Sequence, residues 1–270
     1  MPRPATLLTG LVVLLALASV LFPFLWIALA SLRPPHLVAR PDLLWVAPDP
    51  ANWRAVLFES DVPRYILNSL LVGTVTVAVA LLVGAPAAYS LSRWRTGGAG
   101  TRFAILAAEM MPPAVVIVPL FLILWHLQLT NSLVAVVLAH LTFVLPVVTW
   151  FLVGFVDDLP RELEEQAMID GHTRFTAFLR VVLPAIRPGI GAAAVFGFVL
   201  SWNDMFYALV LTGGASRTLP VAIAGYWTFR GIEMGKMAAA ILVAVVPVTL
   251  AAFFLQKHLV RGLGGGAVKT

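Results

Sequence analysis

Between Pro4 and Leu32 the chain runs 29 residues without a formal charge, and the pattern recurs. Tyr65–Ser92 is a second charge-free run of 28 residues, Met110–Val156 one of 47, and Met237–Gln256 one of 20. A helix needs about 20 apolar residues to cross the ~30 Å hydrocarbon core of a bilayer, so these runs direct the chain into a membrane. Composition agrees: 11% of residues are charged and 60% are hydrophobic, against about 25% charged in soluble domains.

The apolar runs divide into six predicted spans at about 7–30, 65–91, 103–125, 133–155, 190–211 and 237–257. The longest is too long for one crossing and is split at the polar break His126–Asn131. A secretory leader has an apolar region of only about 7–15 residues; the first run is twice that, so a retained span is expected. The resulting expectation is an all-α polytopic membrane protein, a single transmembrane domain over 1–270, with both termini on one side. Placing the termini in the cytoplasm puts eleven of the 18 Lys and Arg residues inside and seven outside, the expected bias. The net charge of +5 then reads as arginines flanking spans beside anionic lipid, not as a nucleic-acid footprint. Met110-Met-Pro-Pro113 is expected to bend the third span beside Glu109.

Several chemistries are excluded by absence. There is no cysteine, hence no disulfide, thiolate metal site or cysteine nucleophile. Neither H-E-x-x-H nor G-x-x-x-x-G-K-[ST] occurs, so the signatures of a zinc protease and of a P-loop ATPase are missing. His126 and His140 have no nucleophile signature beside them, which leaves an intramembrane enzyme as the weaker alternative.

The segment 157–188 is the polar exception between spans four and five. Acids around Pro160 suit the first turn of a helix, predicted over Arg161–Ile169. Asp170-Gly171 reads as a turn, because glycine accepts positive φ. Thr173 can cap a second helix, on which Phe175, Phe178, Leu179, Val182 and Leu183 share one apolar face. Pro184 and Pro188 are expected to stop it. The product is a two-helix knob with one greasy and one charged face; resting on lipid headgroups is its simplest use.

Residue by residue, however, the segment resembles the coupling loop of bacterial ABC-importer permeases, E-A-A, three residues, G, nine residues, I-x-L-P. Here the pattern falls on Glu165, Gln166, Ala167, Gly171, Val181, Leu183 and Pro184, with Gln166 and Val181 as departures. The rest of the chain is similar to the second permease subunit of carbohydrate importers of the maltose, trehalose and glycerol-phosphate-like group. Ser31-Leu-Arg-Pro34, Asn68-Ser-Leu70, Ala87-Ala-Tyr-Ser-Leu-Ser-Arg93, Ser201-Trp-Asn-Asp204 and the Gly266-Ala-Val-Lys269 tail carry that likeness.

The resemblance implies a permease that forms half of a sugar pathway and performs no catalysis itself. It implies four kinds of partner: a second, homologous permease subunit, two cytoplasmic ATPase subunits, an extracytoplasmic sugar-binding protein and the lipid membrane, with no nucleic acid. This chain would hold no cofactor, ATP and magnesium being used by the ATPase. ATPase contact would fall on Glu165, Ala167, Asp170, Gly171, His172, Phe175, Leu183 and Pro184, and on the tail 261–270. A permease for a non-sugar solute would share the same loop. Charges at bilayer depth are costly and usually face a cavity or partner, which singles out Glu109 and Asp204. With Trp202, Asn203 and Tyr207 they form the expected solute pathway, since carboxylates and amides bond sugar hydroxyls and aromatic rings stack on sugar faces.

Overall fold

Four helices are long and apolar enough to cross a membrane in the computed structural model, which describes residues 4–37, 46–229 and 231–264. They are α1 (Pro4–Ser31), α3 (Val62–Arg93), α6 (Leu133–Asp157) and α13 (Met234–Gly264), with the short α2 (Ala51–Phe58) between the first two. The remaining predicted spans are broken, not straight. Residues 103–125 divide into α4 (Gly98–Glu109) and α5 (Pro113–His126), bent by 90°. Residues 190–211 divide into α10 (Arg187–Asn203) and α11 (Phe206–Leu211).

Each break has a local cause. At the first, Pro112 and Pro113 supply no backbone N–H, and each disfavours helical geometry in the residue before it. At the second, Asp204 is extended (φ −68°, ψ 126°), and its carboxylate accepts from the backbone N–H of Tyr207 and of Ala208 at 3.1 and 3.3 Å. Those are donors of the first turn of α11, so an aspartate that sequence reading placed inside one continuous span in fact starts a new helix. The insert contains α7 (Glu162–Ile169), α8 (Arg174–Ala177) and α9 (Leu183–Ala185), and α12 (Leu219–Ala224) follows later.

The chain forms two compact units, one from Met1–Arg64 and Ala222–Val246, the other from Tyr65–Val221 and Pro247–Thr270. In the second, α6 lies at the centre, packed by α4 and α10. Its buried face, Val144, Val148, Leu152 and Val156, meets Val77, Ala80 and Ala88 of α3 and Ala193 of α10. Small residues permit that approach: a Cβ on Gly84 would lie 2.8 Å from Thr149 Oγ1, and one on Gly197 3.1–3.4 Å from three valines. In a bilayer, where lipid is as apolar as leucine, such close backbone packing is what drives helix association.

In the first unit, α1 is apolar on all sides and, from Thr9 onward, exposed along most of its length. Its end is tied down by Asn52 of α2, a buried amide whose Nδ2 donates to the carbonyls of Ser31 (3.1 Å) and Arg33 (2.7 Å). Trp53 Nε1 donates to Ser31 Oγ. A two-stranded hairpin, β1 (Trp227–Thr228) and β2 (Gly231–Ile232), precedes α13. The last residues of the expected ATPase-contacting tail, 265–270, lie outside the described residues.

Candidate functional site: a two-helix knob and an intramembrane cleft

The knob is built from local signals. Helix α7 carries Glu162, Glu164 and Glu165 in its first turn, where acids complement the helix dipole. It ends in a paired closure: His172 N–H donates to Ala167 O at 3.0 Å and Gly171 N–H to Met168 O at 3.1 Å. That 6→1, 5→2 pattern requires a left-handed residue, supplied by Gly171 at φ +90°. Thr173 Oγ1 then accepts from Thr176 N–H and starts α8.

Pro184 does not end the second helix, contrary to expectation. The chain widens into a single π turn over Phe178–Val182, closed by Leu183 N–H donating to Phe178 O. A wide turn of this kind shifts the hydrogen-bond ladder by one residue, so the missing proline N–H is passed over and the helical path continues to Ala185. The break falls at Ile186, before α10 leaves at 74° with Pro188 in its first turn.

The knob is held by a charge that sequence reading did not single out. Glu164, not Glu165, is buried: its Oε1 takes the Arg93 Nε–H and its Oε2 accepts from Tyr89 OH at 2.8 Å. Arg93 also donates to Leu159 O at 2.8 Å. The two side chains are 7% and 8% exposed. Arg93 closes α3 and Glu164 lies in the first turn of α7, so each charge also complements its own helix dipole. Rings extend the clasp: Tyr89 stacks on Phe178 and meets Trp94 edge-on, both at 4.9 Å, and the Arg174 guanidinium lies 5.5 Å from the Trp94 ring centre. Asp157, at the end of α6, receives Ser92 Oγ–H and Arg102.

Of the predicted coupling residues, Glu165, Asp170, Gly171 and Phe175 are exposed, His172, Leu183 and Pro184 half-buried, and Ala167 buried. The expected apolar face is divided. Phe178 and Val182 enter the core, whereas Phe175 and Leu179 stay out with Leu163, Met168 and Ile169. The clasped knob thus presents a surface of exposed apolar side chains mixed with charges of both signs, among them Glu165, Asp170, Arg174 and Arg180.

The second site is a cleft of about 350 Å³ in the 65–221 unit. Both helix breaks open on it: Glu109 and Met111 come from the α4–α5 bend, Asn203, Asp204 and Tyr207 from the α10–α11 break, and Thr142 and Phe143 from α6. Asp204 is held by His140, whose Nε2 lies 3.1 Å from Asp204 Oδ2 while Nδ1 lies 2.7 Å from Ser201 Oγ. His140 is 1% exposed, and this bridge from α6 to the helix break was missed in the sequence; a histidine and an aspartate in separate apolar runs were the available signal. Tyr207 lines the cleft and stacks on Phe143. Trp202 does not line it: it is buried and stacked on Phe198. Asn203 is exposed, with Nδ2 donating to Val199 O. The Glu109 carboxylate is exposed and has no hydrogen bond or ion pair among the described residues.

Apolar helices long enough to span a bilayer, a polar cleft among them and a clasped polar knob are the build of an integral membrane protein. Comparison with known proteins places it further: the chain belongs to the family described as binding-protein-dependent transport system inner membrane component, which matches residues 80–265. It is a multi-pass inner-membrane permease. It is 34% identical over 257 residues to the sulfoquinovosyl glycerol transport system permease protein SmoH of Agrobacterium fabrum, covering 94% of this chain and 90% of that one. It is 33% identical over 259 residues to the trehalose transport system permease protein SugB of Mycobacterium tuberculosis, covering 94% of each. Among solved structures it matches a bacterial ABC transporter involved in the import of the acidic polysaccharide alginate, with TM-score 0.73, 19% identity and coverage of 94% of this chain and 96% of that one. At that identity the likeness is one of fold.

Proposed function

We propose that this chain is the transmembrane permease subunit of an ATP-driven sugar importer, contributing half of a translocation pathway and taking its power from a separate ATPase. The observation that carries the coupling part is the clasp of Glu164 by Arg93 and Tyr89. It fixes the knob to the end of α3 while leaving Ile169, Phe175, Glu165 and the Asp170-Gly171 turn outward. Rigid-body transmission between subunits needs an element that neither bends nor detaches under load, and a knob tied by a buried ion pair meets that need where a loop would not. The sugar assignment rests on the relatives' substrates, trehalose and sulfoquinovosyl glycerol, and on the polar cleft.

In this reading the chain crosses the membrane six times, α4–α5 and α10–α11 each counting as one crossing, with both termini cytoplasmic and the knob facing ATP. A second, related permease completes the pathway, two ATPase subunits take the two knobs, and an external binding protein delivers the sugar. ATP and magnesium belong to the ATPase, and this chain carries no cofactor of its own. Glu109, Asn203, Asp204 and Tyr207 line the solute path, and Trp202 supports it from behind.

Purification of the chain from its native membrane in mild detergent, with mass spectrometry of what stays bound, tests the assembly. Recovery of an ATPase and a second permease supports the reading; a chain that purifies alone, where a known importer complex survives, overturns it. Screening the accompanying binding protein against sugars, amino acids and peptides separates a sugar importer from a permease for another solute.

A further inference from the structure

We propose that Glu109 biases this chain's half of the cleft toward solutes that offer it a hydroxyl or ammonium donor, over solutes that bring a phosphate, carboxylate or sulfonate close to it. The inference rests on the sugar-importer reading and narrows its substrate class. Two observations carry it.

The first is the place of the cleft. Two separate helices are interrupted where they reach it, α4–α5 at Met110–Pro112 and α10–α11 at Asp204–Met205. Interrupted helices at membrane depth are tolerated where the irregular backbone lines a cavity, and paired interruptions mark solute sites in transporters. Its volume of about 350 Å³ falls within the range of small-molecule sites, and Phe143 and Tyr207 offer stacked rings beside the polar groups.

The second is the sign of its charge. The cleft is lined by two carboxylates, Glu109 and Asp204, and by no lysine or arginine. They are not equivalent. Asp204 is committed to His140 and to two backbone N–H groups of α11, so its charge is largely answered by the protein. Glu109 has no partner among the described residues. Glu109 is exposed at the cleft, so its field acts through water-like surroundings and is felt by groups within a few ångströms of it. A sugar hydroxyl or ammonium group can donate to it, whereas an anionic group meets repulsion that no lysine or arginine of this chain's cleft lining offsets.

The chain has no cysteine, which permits a direct test on the assembled complex in membranes. A single reporter thiol is placed in the cleft as Asn203→Cys and, separately, as Met111→Cys. The rates of labelling by a cationic and an anionic methanethiosulfonate reagent are compared with and without Glu109→Gln. The expected result is that the cation-to-anion rate ratio falls by about tenfold in Glu109→Gln at both reporters, the scale of one carboxylate a few ångströms away in water-like surroundings. Glu109→Lys should invert the preference. A ratio that Glu109→Gln leaves unchanged, or a cleft that neither reagent reaches at either position, overturns the proposal. Failure of the importer reading would show separately, as a chain that purifies without an ATPase.

Discussion

Replacing Glu164 with alanine isolates the clasp. Arg93 would keep one hydrogen bond, to Leu159 O, and lose its carboxylate, while Tyr89 OH would lose its acceptor. Both members of the ion pair are more than nine-tenths buried, and removing one partner of such a pair costs about 3–5 kcal/mol because the other is left uncompensated. At about 1.4 kcal/mol per tenfold, that raises the population with the knob unclasped by roughly two to three and a half orders of magnitude. Amide hydrogen exchange on the purified complex reads this locally: protection over residues 162–183 should fall by that factor, while the middle of α6 keeps its protection. Glu165→Ala, one residue away but exposed, should alter local stability by no more than about 0.5 kcal/mol. The double replacement Arg93→Met with Glu164→Leu should recover much of the protection, since apolar pairs often substitute for buried ion pairs without loss. Exchange in Glu164→Ala within a factor of three of wild type would refute the reasoning.

Gly171→Pro removes both a φ of +90° and an N–H donated to Met168 O; membrane yield should persist while ATP-driven uptake into proteoliposomes is lost, and normal uptake would remove the knob from the mechanism. Gly189→Leu drives a side chain into Phe155, whose ring atoms lie 2.4–2.7 Å from an added Cβ. Overpacking of this kind costs about 1–3 kcal/mol, seen as a lower thermal midpoint of the purified complex. Asp204→Ala removes the start of α11 together with the partner of His140 and should destabilise by about 1–2 kcal/mol, whereas Asp204→Asn, which still accepts from the backbone, should cost less in the same melt. Asn52→Ala removes a donor from the carbonyls of Ser31 and Arg33 and should cost about 1–3 kcal/mol, measurable as faster exchange at residues 31–33.

What was legible in the sequence was local. The charge-free runs located the apolar segments, and the Asp170-Gly171 turn and the Thr173 cap were readable because their partners lie within five residues. The bend at Met110–Pro113 was readable for the same reason. Choosing between Glu164 and Glu165 was not possible, because burial of Glu164 depends on Arg93, 71 residues earlier. Asp204 looked like a charge inside a continuous span; its part in starting α11 became visible only with the backbone. The Pro184 expectation failed because a proline rule counts one missing N–H and cannot foresee that a single wide turn absorbs it. Phe175 and Leu179 share a face with Phe178 in an ideal helix, yet only Phe178 meets Tyr89.

The bend between α4 and α5 also bears on how the protein is made. At 1.5 Å per residue, 12 and 14 residues reach about 18 and 21 Å, too short for either half to hold the bilayer alone. On the six-span arrangement, the insertion machinery must therefore accept Gly98–His126 as one segment, with a carboxylate near its middle. A charge at that depth opposes integration by about 2.5–3.5 kcal/mol. Glu109→Leu would ease synthesis and strip the cleft of its free charge in the same step, so biogenesis and selectivity pull this position in opposite directions.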